Sequence, residues 1–311
     1  MILCLGTTPA AQRTMTFDRV TPDAVNRAAS VLESASGKSL NVARTLRTLG
    51  KDVLATGFLG GDSGELIRAD LDRAGIPHDF VAVQPATRTC TTVINGADGT
   101  VTELVEEPKP VDPKAYERLL ETVAANLSRA KVLVLSGSLP PQAPQDFYAR
   151  CTHLARKAGI PVVLDARGEP LLQALAEKPT VVKPNRHELQ ETMPFPIDDD
   201  AALRKAILEL LRRGPTWAII TDGPHEAVAS DGESFWSIAP PQIRAVNPIG
   251  SGDAFAAGLA TALLDARDLP TACRFAAACG AANALNSPAG HGRREDVERL
   301  LAEVRVTARP S

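Results

Sequence analysis

No block of basic residues stands out in this chain, and 34 Lys and Arg against 37 Asp and Glu leave a formal charge of −3. That near-balance argues against nucleic acid as the main partner. No apolar run reaches the roughly 20 residues needed to cross a bilayer. The opening stretch, MILCLGTTPA, is a short apolar strand without the basic flank of a secretion signal. The five cysteines (Cys4, Cys90, Cys151, Cys273 and Cys279) are scattered and form no C-x-x-C pair, so reduced core thiols are expected. His78, His153, His187, His225 and His291 show no metal-ligand spacing. Internal repeats and low-complexity linkers are missing too. These absences exclude several classes and leave a cytoplasmic enzyme with no nucleic-acid or membrane partner as the expectation.

The chain has 311 residues, 44% of them hydrophobic, ample for a large core. Apolar strand candidates fall at Ile2–Leu5, Val53–Gly57, Val132–Ser136, Val162–Asp165, Val181–Val182 and Trp217–Thr221. Helical patterns lie between them, at Leu40–Leu49, Gly64–Ala74, Pro113–Leu127, Asp146–Ala158, Leu171–Ala176 and Ala201–Arg212, and three more close the chain near 251–265, 270–286 and 293–304. Continuous apolar strands alternating with amphipathic helices predict an α/β fold whose mostly parallel sheet is covered on both faces. Two segments break the alternation, approximately 13–34 and 78–106. Both are rich in Thr and Val, with period-two stretches at Thr89–Val93 and Thr100–Val105 and a hairpin signal at Asn95-Gly96-Ala97-Asp98-Gly99 between them. They read as a small second sheet, acting either as a lid or as an edge or dimer surface.

The most informative stretch is NPIGSGDAFAAGLATALL at 247–264. Its glycines remove side chains that would keep an anion from the backbone N–H groups. The helix that follows offers unsatisfied N–H groups and the positive end of its dipole. An acid in that first turn, Asp253, would repel a bound phosphate, unless it takes the proton from a hydroxyl attacking that phosphate. The plainer reading is a glycine turn with an ordinary first-turn acid. Two other phosphate motifs fail. SASGKS at 34–39 mimics the end of a P-loop but puts Leu32 where the first glycine belongs, and a dinucleotide fingerprint starting at Gly250 ends on Phe255.

Nine segments in order, TPAAQRT, SGKSLNVARTLRTLG, GFLGGDSGE, TRTCTTVI, LSGSLPP, LDARGEPL, VKPNRHEL, ITDG and NPIGSGDAFAAGL, together resemble the PfkB family of carbohydrate kinases. Within that family they are most similar to the branch holding 1-phosphofructokinase and tagatose-6-phosphate kinase. The resemblance spans essentially the whole chain. It implies one ribokinase-like domain over 1–311, a sheet flanked by helices with a β lid, transferring phosphate from ATP with Mg²⁺ to a hydroxyl of a sugar phosphate. It makes Asp253 the base and Gly250, Ser251 and Gly252 the anion hole. Lys183, Asn185, Thr221 and Gly223 fall to ATP, and Glu188 to Mg²⁺, through water. On the sugar side it implies Gln12, Arg27, Gly37, Lys38, Asn41, Arg88 and Ser138 beside Asp253. A homodimer through the lid is expected, since a lid sheet with open edges is a liability in a monomer.

The chain also departs from the family pattern. Where an early N-P-x-x-D motif is usual, the sequence reads Thr8-Pro9-Ala10-Ala11-Gln12, and the G-G-K-G loop has become Ser36-Gly37-Lys38-Ser39. Gln12 lacks the charge that makes carboxylate–hydroxyl bonds strong. Glu226 stands where a third glycine is common near the nucleotide. The sugar-side changes leave room for another acceptor, a different sugar or a nucleoside, or for a regulator that binds ligands with weak turnover.

Overall fold

The computed structural model describes residues 1–309. Ten strands form the main sheet: β1 (Ile2–Gly6), β4 (Val53–Leu59), β5 (His78–Ala82), β8 (Val132–Ser136), β9 (Val162–Asp165), β10 (Val181–Val182), β11 (Trp217–Ile220), β12 (Ala227–Ser230), β13 (Phe235–Ala239) and β14 (Arg305–Arg309). Their order is β14-β13-β12-β11-β10-β9-β8-β1-β4-β5. From β11 across to β5 every pair is parallel, and β12, β13 and β14 are added antiparallel. β1, β4, β8, β9 and β10 are buried throughout, as strands covered on both faces must be.

Alternation along the strands sorts the core into two layers. Ile2, Cys4, Val132 and Val134 face one way, onto helices α1 (Lys38–Thr48), α2 (Gly61–Arg73), α8 (Ser251–Leu264), α9 (Leu269–Ala284) and α10 (Arg294–Leu301). Leu3, Leu5, Leu133 and Leu135 face the other way, onto α3 (Pro113–Leu127), α4 (Phe147–Lys157), α5 (Gly168–Leu175), α6 (Arg186–Thr192) and α7 (Asp200–Arg212). The small residues of α8 serve its packing on α9: a Cβ on Gly258 would lie 2.5 Å from the Ala276 Cα. All five cysteines are free and buried.

The second sheet has the order β3-β2-β6-β7, from β2 (Ala10–Phe17), β3 (Ser30–Ser36), β6 (Arg88–Asn95) and β7 (Val101–Val105). The expected hairpin joins β6 to β7, closed by an Asn95 N–H to Thr100 O bond, with Gly99 at φ 74°. The expected boundaries need correction. His78–Ala82 belongs to the main sheet, paired in parallel with β4, because Phe80 and Val81 bury against it; the second insertion enters the small sheet only at Arg88. At the other end β2 begins at Ala10, three residues earlier than the composition suggested. The antiparallel extension by β12, β13 and β14 was not anticipated, since these strands are short and β14 is a largely exposed edge.

Candidate active site

Ligands of open parallel sheets lodge beyond the carboxyl ends of the strands, and here those ends converge with the second sheet on a cleft of about 330 Å³. Asp165 ends β9, Lys183 follows β10, and Asn185 is bridged to Thr221 beyond β11. Asn185 starts α6 with a reciprocal cap: its Oδ1 accepts the Glu188 N–H at 2.8 Å, and Glu188 Oε2 accepts the Asn185 N–H at 2.9 Å. The other Glu188 oxygen, Oε1, accepts from Lys38 Nζ at 2.7 Å. Lys38 also lies 3.3 Å from Asp165 Oδ1, and Lys183 Nζ lies 3.4 Å from Asp165 Oδ2. Two lysines therefore flank one fully buried carboxylate.

Electrostatics follow from that grouping. Burial pushes Asp165 towards its neutral form, but Lys183 and Lys38 outweigh it and hold the carboxyl below its usual range. Burial likewise works against the charge on Lys38, and Asp165, Glu188 and Asp253 overcome it, keeping the ammonium charged well above neutral pH.

α8 supplies the opposite wall. Gly250 caps it in the left-handed region at φ 82°, where a Cβ would lie 2.8 Å from the Ala289 side chain. The buried Asn283 pins this turn: its Nδ2 donates to Ile249 O at 2.9 Å, and its Oδ1 accepts the Gly290 N–H at 2.7 Å. The N–H groups of Gly252 and Asp253 lie in the first turn, where an α-helix supplies no internal partner. Gly252 faces Lys183, whose Nζ would be 3.6 Å from a Cβ there. Asp253 is buried, and its Oδ2 accepts from Asn41 Nδ2 at 2.8 Å. Burial drives the Asp253 carboxyl up to about 7; Asp165 adds to the rise, while Lys38, Asn41 and Lys183 oppose it.

Period-two alternation turns one face of the small sheet into the cleft, bringing Ala10, Gln12, Arg88, Cys90, Glu103 and Val105 to it. Gln12 is buried and donates from Nε2 to Thr92 Oγ1 at 2.9 Å. Arg88 donates to the carbonyls of Glu106 (3.2 Å) and Thr8 (3.1 Å). Gly37, at φ 109°, lets the chain pass close to Pro9 before α1 presents Lys38 and Asn41.

The structure thus gathers Gln12, Gly37, Lys38, Asn41, Arg88, Lys183, Asn185, Glu188, Thr221, Gly250, Gly252 and Asp253 around one space. Three expected residues stand apart. Arg27 is exposed in the loop between β2 and β3. Ser138 is exposed, its carbonyl tied to the hydroxyls of Thr7 and Thr8. Gly223 sits in the turn beyond Thr221, with open space beside it. Ser251 shares the glycine turn, but its hydroxyl is held by Asn283 at 3.3 Å. The sequence reading missed Asp165, Cys90 and Glu103 in the cleft and Asn283 behind it. Asp165 carried a usable signal, an acid closing a fully apolar parallel strand. A larger groove, about 610 Å³ between α3 and α4, is lined by exposed ion pairs such as Glu117–Arg150 and lacks the glycine turn of the cleft.

A family model described as pfkB family carbohydrate kinase matches residues 1–295. Phosphofructokinase-2 of Escherichia coli, in a complex with fructose-6-phosphate, is 27% identical over 97% of this chain and 98% of that one, at a TM-score of 0.88. The tetrameric inhibited form of the same enzyme matches with the same figures. A possible 1-phosphofructokinase of Thermotoga maritima is 21% identical over the full length of both chains, at a TM-score of 0.92, a likeness of fold.

Proposed function

The chain belongs to the pfkB family of carbohydrate kinases, and from that premise we propose that it transfers the γ-phosphate of ATP to a hydroxyl of a sugar phosphate, with Asp253 as the base. The observation that carries this is the Asp253 carboxylate, buried in the first turn of α8 beside the Gly250 turn, with burial raising it to about 7. Such a group holds a proton taken from the acceptor hydroxyl as charge develops, near the pH at which the enzyme works. The new P–O bond forms to that oxygen and the bond to ADP breaks. The N–H groups of the first turn and Lys183 meet the charge spread over the transferring group. Asn185 and Thr221 line the nucleotide side, with Gly223 in the turn just beyond Thr221, and Gln12, Lys38, Asn41 and Arg88 line the acceptor side.

Mg²⁺ supplies neutralisation of the phosphate charge when bound. The donor set suits an ion held through water. Both Glu188 oxygens are already engaged, by Lys38 and the Asn185 N–H. Among the described residues no three acidic, His or Cys groups surround a common point. Mg²⁺ keeps much of its hydration and leans on substrate phosphates. Among the described residues no helix is long and apolar enough to cross a membrane; a cytoplasmic setting is part of the proposal.

A second acceptor class, an unphosphorylated sugar or a nucleoside, is favoured by one set of facts. Arg88 spends donors on two carbonyls, Arg27 is outside the cleft, and Glu103 faces it. One experiment serves both readings: ADP release measured over fructose 1-phosphate, fructose 6-phosphate, tagatose 6-phosphate, free hexoses and nucleosides, for the wild type and D253N. The expected result is activity on a phosphosugar and a kcat about 10²–10⁴ lower in D253N, with ATP affinity unchanged. Near-normal turnover in D253N removes Asp253 as base. Activity confined to neutral acceptors overturns the phosphosugar assignment.

A further inference from the structure

Asp165 is among the most deeply buried charged groups of the cleft, and no ordinary structural duty accounts for it. Its carboxylate makes no helix cap, and its Oδ2 has no hydrogen-bond partner among the described residues. What it does have is a lysine on each side: Lys38 Nζ 3.3 Å from Oδ1 and Lys183 Nζ 3.4 Å from Oδ2. These two lysines come from different parts of the chain and turn to different duties. Lys38 reaches onward to Glu188 Oε1 at 2.7 Å, and Lys183 lies against Gly252 at the start of α8.

Asp253 sits within the field of all three groups. The charged or polar groups facing it are Lys38 and Asn41 from α1, Asp165 from the end of β9 and Lys183 from the segment after β10. A lysine that moved onto Asp253 would hold it ionised and leave it a weak proton acceptor. The observed arrangement avoids this, because both ammonium groups have a carboxylate other than Asp253.

We propose that Asp165 is a positioning residue, whose two oxygens fix Lys183 against the first turn of α8 and Lys38 on Glu188, and so keep both ammonium groups from pairing with Asp253. The inference rests on the reading of Asp253 as the base. Burial is the main reason that Asp253 titrates near 7, and the Asp165 charge contributes to the same rise. A base poised there is matched to neutral pH. Replacing Asp165 by a neutral isostere removes a like charge from Asp253 and frees two cations to approach it. Both effects stabilise the Asp253 carboxylate and act in the same direction.

The test is the pH dependence of kcat, with saturating ATP and the best acceptor, in the wild type, D165N and D253N. Activity falls on the acid side as Asp253 takes up a proton. In D165N that limb should move to lower pH by about half a unit or more, with the plateau kcat about 10-fold lower. A purely structural role lowers thermal stability and leaves the limb in place. An unmoved limb in D165N, with D253N inactive, overturns the positioning role alone; an active D253N overturns the base assignment beneath it. Should D165N fail to fold, D165E decides. It keeps the charge but misplaces it by one methylene, so the limb should stay and kcat should fall about 10-fold, while a native kcat overturns the proposal.

Discussion

The Asn41 amide nitrogen stands 2.8 Å from Asp253 Oδ2, joining the first turns of α1 and α8 from opposite ends of the chain. The bond favours the ionised carboxylate and so opposes the burial that raises it. Removing it in Asn41→Ala should push the Asp253 pKa further up. The acid limb of the kcat profile then moves to higher pH, opposite in sign to the change expected for D165N. We expect kcat at neutral pH to fall about 10-fold while the ATP KM stays within a factor of about two. A limb that moves down in Asn41→Ala contradicts the hydrogen bond's assigned effect.

Stability should depend on pH through the same carboxyl. In the unfolded chain Asp253 titrates near 3.8, and in the folded protein at about 7. Between those values the folded state binds a proton that the unfolded state does not, so stability declines as pH rises through this window. D253N has no such titration. Urea unfolding should show D253N more stable than the wild type above pH 7, by on the order of 2–4 kcal/mol, with the difference vanishing below pH 4. A variant less stable than the wild type at pH 8 contradicts the burial argument.

The legible parts of the molecule are those written in local chemistry. β8, β9, β10 and α3 follow from continuous apolar runs, and from a Pro113 placed after its Asp112 cap. The GSGD turn gives away the start of α8, because a left-handed cap needs Gly250. What stayed hidden depends on long-range contact. The Lys38–Asp165–Lys183 grouping joins residues far apart in the chain. Asn283 looks like one polar residue in an alanine-rich helix until α9 places it behind Ile249. His78–Ala82 carries the same Thr- and Val-rich surroundings as the small sheet, and only the free edge of β4 decides where it pairs.

Gln12 is the departure whose meaning the structure changes most. Its amide is buried and already committed to Thr92, so the side chain offers the cleft an oriented carbonyl oxygen. Thr92→Val leaves that amide donor unpaired, which costs about 1–3 kcal/mol. The acceptor KM should rise roughly 5- to 10-fold for that reason, with the ATP KM unchanged. Gln12→Asp adds a second anion to the sheet face that presents Glu103, and we expect kcat/KM on the best acceptor to fall about 10-fold. A gain in kcat/KM in Gln12→Asp would instead mark Gln12 as a weakened copy of the family aspartate.

The small sheet predicts assembly. Val31, Leu32, Leu104 and Val105 are 47%, 46%, 58% and 50% exposed, all on its two outer strands. Strand register divides them by face. Leu104 pairs with Thr91 and Val31 with Met15, away from the cleft, whereas Val105 pairs with Cys90 and Leu32 with Thr14, on the cleft face. Apolar side chains on edge strands with free backbone groups invite a second copy. Sedimentation at micromolar concentration should therefore give a dimer. The two faces make different demands on it. If the outer face is buried, Leu104→Lys raises the dissociation constant at least about 10-fold, some 1.4 kcal/mol, and leaves acceptor binding alone. If the cleft face is buried, Val105→Lys dissociates the dimer and disturbs the acceptor KM as well, because that residue lines the cleft. We expect the second pattern, since a partner over the cleft face would also shield the acceptor from water. A fully active wild-type monomer at these concentrations excludes both.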